Sequence, residues 1–201
     1  MSATASSHDS LLELPLRDWR APEAAALSAQ ALRALEQGQV LHFPHLGFAL
    51  SPEERVLLDP KYTDPKRKNI SLTPKGLAGT VAAGAARERV QGILQRYLDS
   101  TSALLDALFP GYRDARHGPA TSLRLHAIGT WHPSWRKDDR LLHVDAFPSR
   151  PLHGERILRV FTNINPNGEP RTWRVGEPFE TAARRYLPAM SKPWRPWLAG
   201  L

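Results

Sequence analysis

Cysteine is missing from all 201 residues, which excludes disulfides, thiolate zinc sites and a cysteine nucleophile and leaves the redox compartment open. No run approaches the roughly 18 apolar residues that a bilayer span requires. Met1 to Leu14 also lacks the basic-then-apolar order of a secretory signal. A cytoplasmic protein is therefore expected. Internal repeats and low-complexity tracts do not occur. Acidic residues are the scarcer sign, 20 against 27 Lys and Arg. Chemistry must come from His, carboxylates, hydroxyls or a bound cofactor.

What is present is an ordinary globular mixture, 41% hydrophobic and 23% charged, with 18 Pro and 6 Trp, and this excludes a disordered or collagenous chain. The length supports one domain with a sizeable core. The net charge of +7 and pI of about 10.1 rest mainly on Arg, 21 of the 27 basic residues. Arg's planar fork suits carboxylate and phosphate, so the charge fits nucleic acid, a phospholipid surface or an acidic small molecule, and equally a genome that writes Arg for Lys. No recognised nucleic-acid-binding motif is present, and no nucleic-acid partner is expected.

Residues 1–14 read as a disordered tail and 15–201 as a single α+β domain, mainly helical over 15–118 and β over 119–201. Pro22 to Gln37 has strong helix formers at helical spacing, with Gly38 as the stop. Val40 to Phe43 reads as a short strand, and Ser51, Pro52 and Glu54 open a short helix. Lys61 to Lys75 has the composition of an exposed basic loop. From Ala85 to Leu108 the apolar positions step by i, i+3, i+4 and i+7, which marks the strongest helix. Strands are expected at Thr121–Ile128, Leu141–Ala146, Ile157–Asn163 and Thr172–Val175, forming an antiparallel sheet, and a short helix near Phe179–Tyr186.

The chemistry centres on His143-Val144-Asp145. In an extended strand residues i and i+2 share a face, so an imidazole and a carboxylate project together, two ligands for one metal. They are the first two members of the two-His, one-carboxylate triad of non-haem Fe(II) oxygenases. With 8 His and 10 Asp in 201 residues, chance supplies about 0.4 such matches. The pattern also fits a strand-borne His hydrogen-bonded to its neighbour. Its setting argues for more: a loop with Trp131 and Trp135 precedes it, and an apolar stretch with Arg156 and Arg159 follows.

The stretch LLHVDAFPSRPLHGERILRVFTNINP, with RTWRVGEPF soon after, resembles the Fe(II)/2-oxoglutarate-dependent Kdo 3-hydroxylases. The resemblance implies helices followed by a double-stranded β-helix (jelly-roll) core, incomplete at the C-terminus. It further implies C3 hydroxylation of the 3-deoxy-D-manno-oct-2-ulosonic acid (Kdo) sugar on a Kdo-lipid A glycolipid, with Fe(II) and 2-oxoglutarate as cofactors. Metal ligands are then His143 and Asp145. The family's distal His has no counterpart, because the only His after Asp145 is His153, eight residues on. His126 and His132 stand upstream, without spacing that favours them.

For the cosubstrate carboxylate Arg159 is the candidate anchor, with Arg156 next and Asn163 as a polar contact. Trp131, Arg136 and Arg140 are candidates for the sugar and its acidic groups. Together with Lys66, Arg67, Lys68 and Lys137, the two arginines also suit peripheral contact with an anionic inner-membrane surface. An inactive truncated homologue, or a non-catalytic anion-binding module, is the competing expectation.

Overall fold

The computed structural model describes residues 10–118, 120–126, 138, 143, 151–173 and 176–189. The chain divides into two compact units, Met1–Trp131 with Thr162–Glu169, and His132–Phe161 with Pro170–Leu201.

In the first unit the first described element is a strand, within the stretch where a tail is expected. β1 (Leu11–Glu13) pairs in parallel with β2 (Val40–His42), Leu12 opposite Leu41. Leu14 and Leu16, which follow, are fully buried. The tail reading is thus corrected from Leu11 on, where burial of Leu14 and Leu16 holds the preceding strand down, while residues 1–9 lie outside the described residues. The crossover between the strands is α1 (Ala24–Glu36), whose Ala24, Ala31 and Ala34 are buried. Its small side chains let the helix lie close on its neighbours. It ends as its glycine predicts: Gly38 adopts a φ of 82°, its N–H donates to Leu35 O, and that of Gln39 to Ala34 O.

α2 (Pro52–Arg55) is a single turn with a complete capping box. Glu54 N donates to Ser51 Oγ at 3.3 Å, and Ser51 N to Glu54 Oε2 at 2.9 Å. The Glu54 carboxylate then accepts both guanidinium nitrogens of Arg96 at 2.7 and 2.9 Å. Arg96 also donates to Ala49 O at 3.0 Å and lies over the Phe48 ring. The bond to Arg96 holds the Glu54 carboxyl below its ordinary value of 4.5. A depressed carboxylate stabilises the fold above the unfolded value, and that contribution is lost as pH falls through the folded one. Glu54→Gln is therefore expected to lower stability at pH 7 by about 1–2 kcal/mol, modest because Arg96 is half exposed. Urea melts should show the difference shrinking as pH falls below the ordinary carboxylate value of 4.5.

The longest helix, α3 (Gly84–Leu108), buries Val90, Ile93, Leu94, Thr101, Leu104 and Leu108 along one stripe, as its periodicity predicts. Its C-terminal half meets Leu14, Leu16, Ala31, Leu46 and Phe109 in one apolar cluster, and Ser28 Oγ donates to the terminal carbonyl of Leu108 at 2.7 Å. Its N-terminal half faces a second cluster built on a three-stranded antiparallel sheet.

β3 (Ile70–Thr73) pairs with β4 (Gly76–Ala78), Leu72 opposite Leu77, and with β5 (Thr121–Leu123), Ile70 opposite Leu123. Ile70, Leu72, Leu77 and Leu123 turn inward, while Ser71 and Ser122 hydrogen-bond on the outer face. The basic loop expected over Lys61–Lys75 is corrected accordingly, since alternate burial of Ile70 and Leu72 makes its second half a strand. Gly79 follows with a φ of 81°, and a Cβ there would stand 2.2 Å from Asn69 O, so glycine is required at that point.

The strand expected at Thr121–Ile128 ends at Leu123. Ile157–Asn163 and Thr172–Trp173 form no strand, and residues 174 and 175 lie outside the described residues. The second unit contains α4 (Phe179–Tyr186), at the bounds expected, with Glu177 paired to Arg185 at 2.8 Å. Among the described residues no helix is long and apolar enough to cross a membrane.

Candidate active site

His143 is exposed and lies in no strand. Asp145 lies outside the described residues, as do Trp131, His132, Arg136, Lys137, Arg140 and the rest of the expected strand Leu141–Ala146. The face that His143 and Asp145 would share therefore rests on the sequence pattern alone. Among the described residues no group of three His, Asp or Glu side chains surrounds a common point.

His153 occupies the tip of a tight turn. Its φ is 49° and that of Gly154 is 86°, and Glu155 N closes the turn on Leu152 O at 2.8 Å. Consecutive left-handed residues make the reversal that a two-residue connection needs. The spacing argument against His153 as a distal ligand is matched by this turn role. Arg156 and Arg159 follow, both exposed on irregular chain.

Asn163 is exposed, and both ends of its carboxamide serve the local loop. Nδ2 donates to Glu169 O at 2.7 Å, and Oδ1 accepts from Asn165 N at 3.1 Å. Asn165 in turn accepts from Asn167 N at 2.8 Å, and its Nδ2 reaches Glu169 Oε2. These side-chain-to-backbone bonds build the turn that an Asn-Pro-Asn-Gly sequence favours.

One grouping escaped the sequence reading. Phe161 and Trp173 meet at 4.5 Å between centroids with their planes tilted by 44°, and the Arg171 guanidinium lies 5.5 Å from the Trp173 ring. Phe161 and Trp173 are both more than half exposed. A cation beside an open aromatic face suits an anionic sugar. Its one trace in sequence is the Arg-Thr-Trp of RTWRVGEPF, where residues two apart can share a side.

A sequence model of the 3-deoxy-D-manno-oct-2-ulosonic acid (Kdo) hydroxylase family matches residues 18–200. The chain belongs to the Kdo hydroxylase family. Its structure is similar to crystal structures of the Kdo hydroxylase KdoO, described as a non-heme Fe(II) alphaketoglutarate-dependent dioxygenase. One holds alphaketoglutarate and Fe(III), with a TM-score of 0.82 at 41% identity over 92% of this chain. Another holds cobalt(II), with a TM-score of 0.84 at 42% identity over 93% of this chain. The apo form gives 0.83 at 42% identity. The chain spans 63% of the length of these KdoO chains. No curated protein sequence matches it.

Proposed function

We propose that the chain takes part in Fe(II)/2-oxoglutarate-dependent hydroxylation of the Kdo sugar at C3, on a Kdo-lipid A type glycolipid. The observation that carries the reading is the similarity at 41% identity to a Kdo hydroxylase crystallised with alphaketoglutarate and Fe(III). The incomplete jelly-roll core of such oxygenases is the architecture proposed for residues 119–201, of which Thr121–Leu123 is the strand seen among the described residues.

His143 and Asp145 supply one imidazole and one carboxylate, the donor types that fit Fe(II) at two of the three protein places of the triad. Fe(II), when bound, would supply the activation of dioxygen, so that 2-oxoglutarate and O2 give succinate and carbon dioxide, with one oxygen atom going to succinate and the other to an aliphatic C–H of the sugar. The protein's own residues bind and orient. His143 offers a neutral ring nitrogen, and Asp145 an anionic oxygen that offsets the metal charge. The Arg159 guanidinium would hold the far carboxylate of 2-oxoglutarate, with Arg156 as a second cation. Asn163 shapes the loop that follows.

Trp131, Arg136 and Arg140 are the candidates from the sequence for the sugar ring and its acidic groups, and Trp173 with Arg171 is a separate candidate for the same chemistry. The basic residues Lys66, Arg67 and Lys68 suit peripheral contact with the anionic membrane surface where such a glycolipid resides, on the cytoplasmic side.

The test is anaerobic Fe(II) binding by the purified chain with and without 2-oxoglutarate, followed by succinate release on admitting oxygen. Stoichiometric iron and succinate are expected. A folded chain that takes up no iron would overturn the reading in favour of an anion-binding module.

A further inference from the structure

Large aromatic side chains are buried wherever a fold allows it, so two that touch each other and both stay open to water are informative. In the second unit Phe161 is 59% exposed and Trp173 is 58% exposed, although their ring centroids are 4.5 Å apart. Their planes are tilted by 44°, which makes a wedge and not a parallel stack. The Arg171 guanidinium lies 5.5 Å from the Trp173 centroid, within the roughly 6 Å over which a ring face attracts a cation. Arg171 is half-buried, which narrows the arc that its long side chain can sweep.

Two kinds of recognition meet at this cluster. An exposed aromatic face takes the apolar C–H side of a sugar ring. A guanidinium carries five N–H donors and takes a carboxylate with two of them in parallel. A neutral sugar satisfies only the first and a small inorganic anion only the second, whereas a cyclic sugar acid satisfies both. The family to which the chain belongs is named for such a molecule, 3-deoxy-D-manno-oct-2-ulosonic acid, whose carboxyl group is ionised at neutral pH.

We propose that Phe161, Arg171 and Trp173 form a specificity-determining subsite for the sugar acid, in which the aromatic wedge carries the ring of Kdo and Arg171 takes its carboxylate. All three residues belong to the second unit, and none of them is a proposed metal ligand, so the subsite holds the sugar whether or not iron is bound. The choice of Kdo as the acid rests on the function proposed above; the wedge and its cation do not.

The experiment is ligand-observed NMR titration of the full 201-residue chain, kept metal-free, with free Kdo and with Kdo methyl ester, the same ring without the charge. The parent is expected to bind the acid about 10-fold more tightly than the ester. Arg171→Gln should abolish that preference, weakening the acid about 10-fold and leaving the ester unchanged. Arg171→Lys, which keeps the charge and loses the planar fork, should fall between. Trp173→Ala should weaken acid and ester alike, by about 3- to 10-fold, and Phe161→Ala should act in the same sense. Added salt should weaken the acid only. All four variants should keep the parent's thermal midpoint, because each of these side chains reaches solvent.

Failure of the parent to bind Kdo, or equal affinity for acid and ester, would overturn the inference. A preference for the acid that persists in Arg171→Gln, or unchanged binding by Trp173→Ala, would overturn it as well. A parent that takes up Fe(II) and 2-oxoglutarate yet shows no preference for the acid would overturn the subsite and leave the oxygenase reading standing. A parent that prefers the acid, through Arg171, yet takes up no iron would support the subsite and overturn the oxygenase reading alone.

Discussion

Alanine at His143 or at Asp145 is expected to weaken Fe(II) binding by more than about 100-fold, since each change removes a proposed metal ligand where loss of a mere supporting contact already costs 10- to 100-fold. A single remaining donor does not hold the metal against water. The fold should survive the change at His143, because that side chain is exposed and its truncation opens no cavity. Anaerobic Fe(II) titration of each variant, beside a thermal melt, separates loss of the site from loss of the protein. Retained stoichiometric iron in either variant would remove that residue from the ligand set.

The largest effect on stability is expected at Leu104. Its side chain is 1% exposed and sits where α3 meets Leu14, Leu16, Ala31 and Leu108. Leu104→Ala deletes three buried carbons and leaves a void that small neighbours such as Ala31 cannot fill. The loss should be about 3–4 kcal/mol, a large part of the 5–15 kcal/mol typical of a domain. Urea unfolding should show a lower midpoint with an unchanged slope. A cost below about 1 kcal/mol would mean that the two elements close over the gap.

These two predictions stand on features of different legibility. Helices α1, α3 and α4 could be read because apolar spacing, Gly38 and the breaker Pro110-Gly111 are local signals, and α2 because Ser51, Pro52 and Glu54 state a capping box outright. β1 could not, since Leu11–Glu13 gains its meaning from Val40–His42, 29 residues away in the same register. The β3-β4 hairpin was hidden by its neighbours, Lys66, Arg67, Lys68 and Lys75, whose charge outweighed the alternation of Ile70 and Leu72. Ile157–Asn163 has strand-like composition, yet composition does not say whether a partner strand lies alongside, and the chain there is irregular.

At the site, residue type and spacing point to His143 and Asp145, and the family to which the chain belongs agrees with the chemistry they imply. Arg159 is proposed from its charge on an apolar stretch. The approach of Phe161 to Trp173 left no trace in sequence, because neither residue lies on a helix or strand whose period could have joined them.

One helix serves both apolar clusters of the first unit. Leu104 and Leu108 belong to one and Val90, Ile93 and Leu94 to the other, on 25 residues that extend about 37 Å. A single ladder of backbone hydrogen bonds therefore runs through both. Neither cluster can melt without fraying the rod on which the other is built, and the cost of opening one end is transmitted to its far neighbour. The N-terminal crossover and the three-stranded sheet, which share no strand, are thereby made to unfold as one cooperative body.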